Sequence, residues 1–314
     1  MSLFDRLIVT TLPLVPKFIV GKVASRYVAG ESLDDAVETV KRLNGEGALC
    51  TLDVLGEEVD DRALAQKAVD QYLQVLGAIV ENDLNCNISA KPTQFGLEID
   101  ESLCRDHYET LASAAAKEDC FVRLDMEDRT TTDATLRIYR QLHESLGLIE
   151  GETQKDGSRH RARVGPVFQA YMRRTLNDIA DLPAEGANVR LCKGIYIEPI
   201  AHAWKGFETV RLNFVQALRK LLEQGTYVGI ATHDEYLMCA AVGLLDELQV
   251  PKDRYEFQML LGVEPQLRRV LIDGGHRLRV YVPYGKDWYL YSMRRLRENP
   301  KVAGHVARAL LSGN

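Results

Sequence analysis

Eight short apolar runs, each followed by an amphipathic segment, constrain this 314-residue chain more than any other feature in it. The runs lie at residues 48–55, 87–90, 121–126, 164–170, 189–192, 227–231, 255–260 and 278–282. Each is four to eight residues long and rich in Val, Ile, Leu, Phe and Tyr, which is the pattern of strands buried on both faces. Helical periodicity falls between them at 62–82, 101–117, 133–146, 173–180, 207–223, 235–248 and 265–273, after a polar helix at 32–43. Eight strands alternating with helices over roughly 250 residues predict an α/β fold closed into a (β/α)8 barrel rather than an open sheet. The stretch 150–163, polar and glycine-containing, reads as an exposed loop before the fourth strand. No linker divides the body, so residues 1–45 are assigned to an N-terminal helical arm and 46–314 to the barrel.

Charge and cysteine usage remove several function classes. With 39 basic and 45 acidic residues the net charge is -6, and no basic tail is present, so nucleic acid is not an expected partner. Cys50, Cys86, Cys104, Cys120, Cys192 and Cys239 are widely spaced, mostly in apolar runs, as reduced thiols of a cytoplasmic protein are; neither a disulfide framework nor a zinc site is expected. There is no G-x-G-x-x-G after a strand and no Walker loop. Residues 7–20 are apolar, but Asp5 precedes them, Pro13 and Pro16 interrupt them and Lys17 sits among them. They are shorter than the ~20 apolar residues that span a bilayer. Residues 1–30 therefore read as an appendage of helices with two open roles, packing on the body or peripheral contact with a membrane surface.

Barrel active sites form at the carboxyl ends of the strands. Those ends are dense in polar groups here: Lys91, Thr93 and Gln94; Asp125, Glu127 and Asp128; Gln169 and Tyr171; Arg190, Lys193 and Tyr196; Thr232, His233 and Asp234; Glu256 and Gln258; Tyr281 and Tyr284. Helix caps explain a few, such as Thr93 or Asp234. They do not explain cations set within apolar strands, since burying such groups unpaired costs several kcal/mol. A further helix should open near Asp287 and stop at Asn299-Pro300. Tyr289, Leu290, Met293 and Leu296 share one of its sides, and Trp288, Tyr291, Arg294, Arg295 and Glu298 the other. The second side reads either as a roof over a cavity, with two guanidiniums for a carboxylate or phosphate, or as a surface face with an Arg294–Glu298 pair contributing ~0.2–0.5 kcal/mol. Lys91, Arg190, Lys193, Arg294 and Arg295 together form a cationic surplus that implies an anion site.

In order, the phrases Ile88-Ser-Ala-Lys-Pro-Thr-Gln94, Arg123-Leu-Asp-Met-Glu127, Gln169-Ala-Tyr171, Val189-Arg-Leu-Cys-Lys-Gly-Ile-Tyr196, Ala231-Thr-His233, Glu256-Phe-Gln-Met-Leu260 and the helix after Tyr281 resemble proline dehydrogenase, the flavoprotein family that oxidises L-proline. They cover about residues 85–299. The resemblance implies a distorted (β/α)8 TIM barrel whose last helix lies over the mouth, and a chain of the single-function bacterial type. It implies that Arg294, Arg295 and Lys91 bind the proline carboxylate, that Glu298 orients the arginines, and that Asp125 lies near substrate and flavin. Tyr196, Leu260 and Tyr281 would pack around the ring, with Tyr281 disfavouring a hydroxylated one. Gln169, Arg190, Lys193, Thr232 and His233 would contact FAD, Arg190 nearest the isoalloxazine. A quinone would take the electrons, and 1-pyrroline-5-carboxylate dehydrogenase, which consumes the product, is a further candidate partner. Two rival expectations stand beside this one: a lyase or aldolase forming a Schiff base on Lys193 or Lys91, and an amino-acid sensor that binds proline without chemistry.

Overall fold

The computed structural model describes residues 21, 25–151, 153–183, 185–289 and 291–292. Helix α1 (Leu33–Gly45) begins with a capping box: the Ser32 hydroxyl accepts from the Asp35 amide, and the Asp35 carboxylate accepts from the Ser32 amide. Its buried stripe, Ala36, Val37, Val40 and Leu43, joins the main apolar core. Strands and helices then alternate as β1 (Leu49–Val54), α2 (Arg62–Glu81), β2 (Cys86–Ala90), α3 (Glu101–Lys117), β3 (Val122–Leu124), α4 (Arg129–Leu146), β4 (Val164–Gly165) and β5 (Val167–Gln169). The remainder is α5 (Thr175–Ala180), β6 (Asn188–Cys192), α6 (Phe207–Glu223), β7 (Tyr227–Ala231), α7 (Glu235–Glu247), β8 (Tyr255–Leu260), α8 (Pro265–Asp273) and β9 (Leu278–Tyr284). Asp61, Asp100, Asp128 and Asp234 each cap a helix by accepting first-turn amides. The Asp128 cap starts α4 four residues before its apolar period does, because that first turn buries Thr131 and Thr132 rather than hydrocarbons.

The sheet runs β4-β3-β2-β1-β9-β8-β7-β6-β5, with parallel pairing throughout. Residues 164–170 were expected as one strand, and here the structure departs from the sequence reading. Pro166 has no N–H to give to a ladder, so it splits that stave in two. The first half pairs with β3 and the second with β6, which makes the stave the seam of an eight-staved, distorted TIM barrel. Gly165 is required there: a Cβ would lie 1.9 Å from the Asn188 carbonyl oxygen and 2.8 Å from Arg123 Nη1.

Alternation along the strands divides polar from apolar. Leu52, Ile88, Val122, Leu124, Val189, Leu191, Val228, Ile230, Phe257, Val280 and Val282 belong to the core between sheet and helices. The alternate positions, Asp53, Ser89, Arg123, Arg190, Glu256, Gln258 and Arg279, are polar and buried, so the barrel is filled by a charged column. The stretch 150–163, expected to be an exposed loop, closes the amino-terminal end of that column. Asp156 accepts from Arg279 Nη2 at 2.6 Å and pairs with Arg277 at 3.2 Å, while Ser158, His160 and Ala162 are buried. Its polar residues divide between the charged interior, met by Asp156, Ser158 and His160, and solvent, where Glu150, Thr153 and Lys155 are exposed as expected, and it lies opposite the strand ends that carry Gln169.

Candidate active site

Five staves bring one tight cluster to the carboxyl end. Arg190, third residue of β6, gives Nη1 to Asp125 Oδ1 at 2.6 Å and to Ser89 Oγ at 3.1 Å. Its Nε donates to Gln258 Oε1 at 2.6 Å. Ser89 also donates to Asp125 Oδ1 at 2.7 Å, and the Tyr281 hydroxyl donates to Asp125 Oδ2 at 3.3 Å. The Arg190 guanidinium carbon lies 5.3 Å from the Tyr281 ring centroid, within cation–π range. Burial, reinforced by the Asp53 and Asp125 carboxylates, holds the Tyr281 phenol pKa well above 10, so the ring stays neutral and its hydroxyl stays a donor. Leu260, the last residue of β8, sits beside Tyr281 in the ladder.

Lys91, just past β2, pairs with Asp53 of β1 at 3.1 Å, and the Tyr72 hydroxyl from α2 donates to the same carboxylate at 3.1 Å. Burial works against the ammonium, but Asp53, Asp125 and Glu127 outweigh it and keep the Lys91 pKa raised. Burial also raises the Asp53 carboxyl, with Lys91 opposing. Glu127 accepts from the Thr93 amide at 2.9 Å and hydroxyl at 2.7 Å, and burial pushes its pKa up to about 7. The amide of Gln169 is tied to the Glu127 carbonyl at 2.8 Å.

The remaining expected residues spread along the rim. Lys193 pairs with Asp234 at 3.2 Å, where Arg211 also binds at 2.7 Å, so Asp234 is an ionic hub as well as a helix cap. His233 Nε2 accepts from the Leu260 amide at 2.9 Å, which selects the Nδ1–H tautomer for the neutral ring. Thr232 Oγ1 accepts from the Asp234 amide at 3.1 Å and is buried in the turn. Tyr196, on the β6–α6 loop, packs with Tyr171, Met172 and Ala203 in an apolar cluster that joins this loop to the residues after β5. At the mouth, Tyr291 is buried with Val28 and Leu55, and Trp288 Nε1 donates to Glu31 at 2.8 Å, so these two residues face the body. Arg294, Arg295 and Glu298 lie outside the described residues.

Two features differ from the sequence reading. The surplus of cations disappears among the described residues, because Lys91, Arg190 and Lys193 each hold a carboxylate. Asp53 and Ser89 were missed, although Asp53 left a signal: an acid inside an apolar strand needs a buried partner.

A family model described as proline dehydrogenase matches residues 36–308. The chain is 36% identical over 288 residues to proline dehydrogenase 1 of Bacillus subtilis, covering 92% of this chain and 90% of that one. It is 34% identical over 293 residues to proline dehydrogenase of Deinococcus radiodurans, again covering 92% and 90%. Among solved structures, proline utilization A of Bdellovibrio bacteriovorus inactivated by N-propargylglycine superposes with a TM-score of 0.79 at 23% identity; 89% of this chain covers 33% of that one. The polar-filled barrel and its carboxyl-end cluster are thus those of a chain that belongs to the proline dehydrogenase family.

Proposed function

We propose that this chain oxidises L-proline to 1-pyrroline-5-carboxylate with FAD and passes the electrons to a quinone. The observation that carries the reading is the Arg190–Asp125–Tyr281 cluster beside the Lys91–Asp53 pair, at the end of the barrel where such enzymes build their sites. The donor set fits a flavin. Arg190 Nη2 has no hydrogen-bond partner among the described residues. Gly194, at φ +101, follows β6 where a Cβ would lie 2.1 Å from the Tyr171 ring, so the rim carries bare backbone there.

Bound at this rim, FAD supplies a hydride acceptor for the ring carbon next to the proline nitrogen. The chain's own residues do the rest. Arg190 sets its guanidinium where negative charge develops, and Asp125 fixes its direction. Lys91 remains an ammonium with donors to share between Asp53 and the proline carboxylate, the latter joined by Arg294 and Arg295, which Glu298 orients. Tyr281, Leu260 and Tyr196 bound the pyrrolidine ring; Gln169, Lys193, Thr232 and His233 hold the cofactor. The raised Lys91 pKa opposes a Schiff base at Lys91, which needs a neutral amine. A lipid-soluble quinone would be met at a membrane surface, with the apolar segment 7–20 as the contact. No helix among the described residues is long and apolar enough to cross a membrane.

The test is anaerobic addition of proline to the purified holoprotein while the flavin spectrum is recorded. Bleaching supports the reading. A protein that takes up no FAD, or a bound flavin that keeps its colour in excess proline, contradicts it.

A further inference from the structure

A continuous line of hydrogen bonds runs through the barrel from the mouth to its opposite end. Arg190 Nε donates to Gln258 Oε1 at 2.6 Å, and Gln258 Nε2 donates to Glu256 Oε1 at 2.6 Å. That same oxygen accepts from Arg279 Nε at 2.7 Å, and Arg279 Nη2 donates to Asp156 Oδ2 at 2.6 Å. The other Glu256 oxygen accepts from the Tyr227 hydroxyl at 3.1 Å, and Arg279 Nη1 donates to the Cys50 carbonyl at 2.7 Å. Gln258, Glu256 and Arg279 are each no more than 5% exposed, so bulk water cannot substitute for a lost partner.

We infer that Gln258 is the positioning residue for Arg190, anchored from the far end of the barrel by Glu256, Arg279 and Asp156. The inference rests on the proposed role of Arg190 as the cation facing the flavin. Asp125 and Ser89 both bind Nη1, and a guanidinium held at one nitrogen can still pivot about it. The bond from Nε to Gln258 is the second point that fixes its plane against the Tyr281 ring. The Gln258 amide has one workable direction. Reversed, it would set NH2 against the guanidinium and its carbonyl against the Glu256 carboxylate, two repulsions in place of two bonds. Space for the amide comes from Gly229 on β7, where a Cβ would lie 2.4 Å from Gln258 Nε2 and 2.8 Å from its Cδ. The loop 150–163, on the other face of the molecule, therefore contributes to the charge that meets the cofactor.

Two variants of the holoenzyme test this. Gln258→Met removes the amide at similar volume, and Gly229→Ala displaces it without deleting a polar group. Both should slow anaerobic flavin bleaching at saturating proline about ten-fold, the loss expected for one hydrogen bond to a charged group. The midpoint potential of the bound flavin should move to more negative values, while the KM for proline changes less than about two-fold. A merely structural role would lower the melting temperature and leave the potential where it was. Unchanged potential and bleaching rate in a flavin-loaded Gln258→Met protein overturn the inference, as does a defect confined to KM. Should that variant fail to retain flavin, Gly229→Ala decides by the same two readouts. If the wild-type flavin is not bleached at all, the proposed function fails, not the positioning role.

Discussion

Asp53 shows at the residue scale how this site is held. Fully buried, it accepts from Lys91 and from Tyr72, so neither the carboxylate nor the ammonium is left uncompensated. Breaking such a pair from one side leaves a lone charge in a low-dielectric interior, at a cost of about 3–5 kcal/mol. Asp53→Asn should therefore destabilise the protein by about 3 kcal/mol in urea unfolding at neutral pH, and should lower the Lys91 pKa because its nearest raising charge is gone. A cost below about 1 kcal/mol would show the pair to be solvated instead. Tyr281 makes a different prediction. It is the ladder neighbour of Leu260 and its hydroxyl is committed to Asp125, so Tyr281→Ser should open space and relax discrimination against hydroxyproline, read as the ratio of kcat/KM for the two substrates. An unchanged ratio would reject the assignment. Asp53 escaped notice in the sequence because it stands inside the run 48–55, whereas Asp125 was legible because it falls at the carboxyl end of the run 121–126, next to Glu127 and Asp128.

Among the elements, the loop 150–163 was the hardest to read. Polar, glycine-containing segments normally face water, and nothing in its composition reveals that Arg277 and Arg279 await it inside the barrel. His160 is wedged between the rings of Phe121 and Tyr227, at 5.6 and 4.8 Å between centroids, and burial lowers its pKa from 6.5 to about 4. The histidine is thus neutral when folded. Its contribution is complete above pH 6.5 and is lost as pH falls toward 4, at most roughly 3 kcal/mol. Burial would raise the Asp156 carboxyl, but Arg279 and Arg277 prevail and hold it well below the usual range, so its share fails only in stronger acid. Limited proteolysis within 150–163 should accelerate more than about ten-fold between pH 7 and 4.5, and His160→Phe should flatten that response. An identical acid response in His160→Phe would contradict the account. The seam at Pro166 was concealed in a similar way, since hydropathy registers an apolar run and not the missing N–H that splits it.

At the scale of the whole molecule, the strand count and order were legible because both faces of the sheet signal separately: the outer one by apolar runs, the inner one by charged residues within them. What could not be read was pairing, since the sequence shows Lys91, Arg190 and Lys193 but not which acids they meet. The mouth region shares its packing with the barrel: Leu55, just past β1, is buried with Val28 and Tyr291, and the Leu55 amide donates to the Tyr284 carbonyl at 2.8 Å. The two tryptophans, Trp204 on the β6–α6 loop and Trp288 at the mouth, therefore report on one cooperative unit. Single-tryptophan proteins should unfold at the same urea concentration, and two separated midpoints would show the mouth to be an independent element. The central claim is that this barrel end takes a hydride from proline and gives it to FAD. Its most direct measurement is the anaerobic stoichiometry of flavin bleached against 1-pyrroline-5-carboxylate formed. The account predicts that the two rise together, one for one; product without bleaching, or a borohydride-trapped adduct on Lys91 or Lys193, would contradict it.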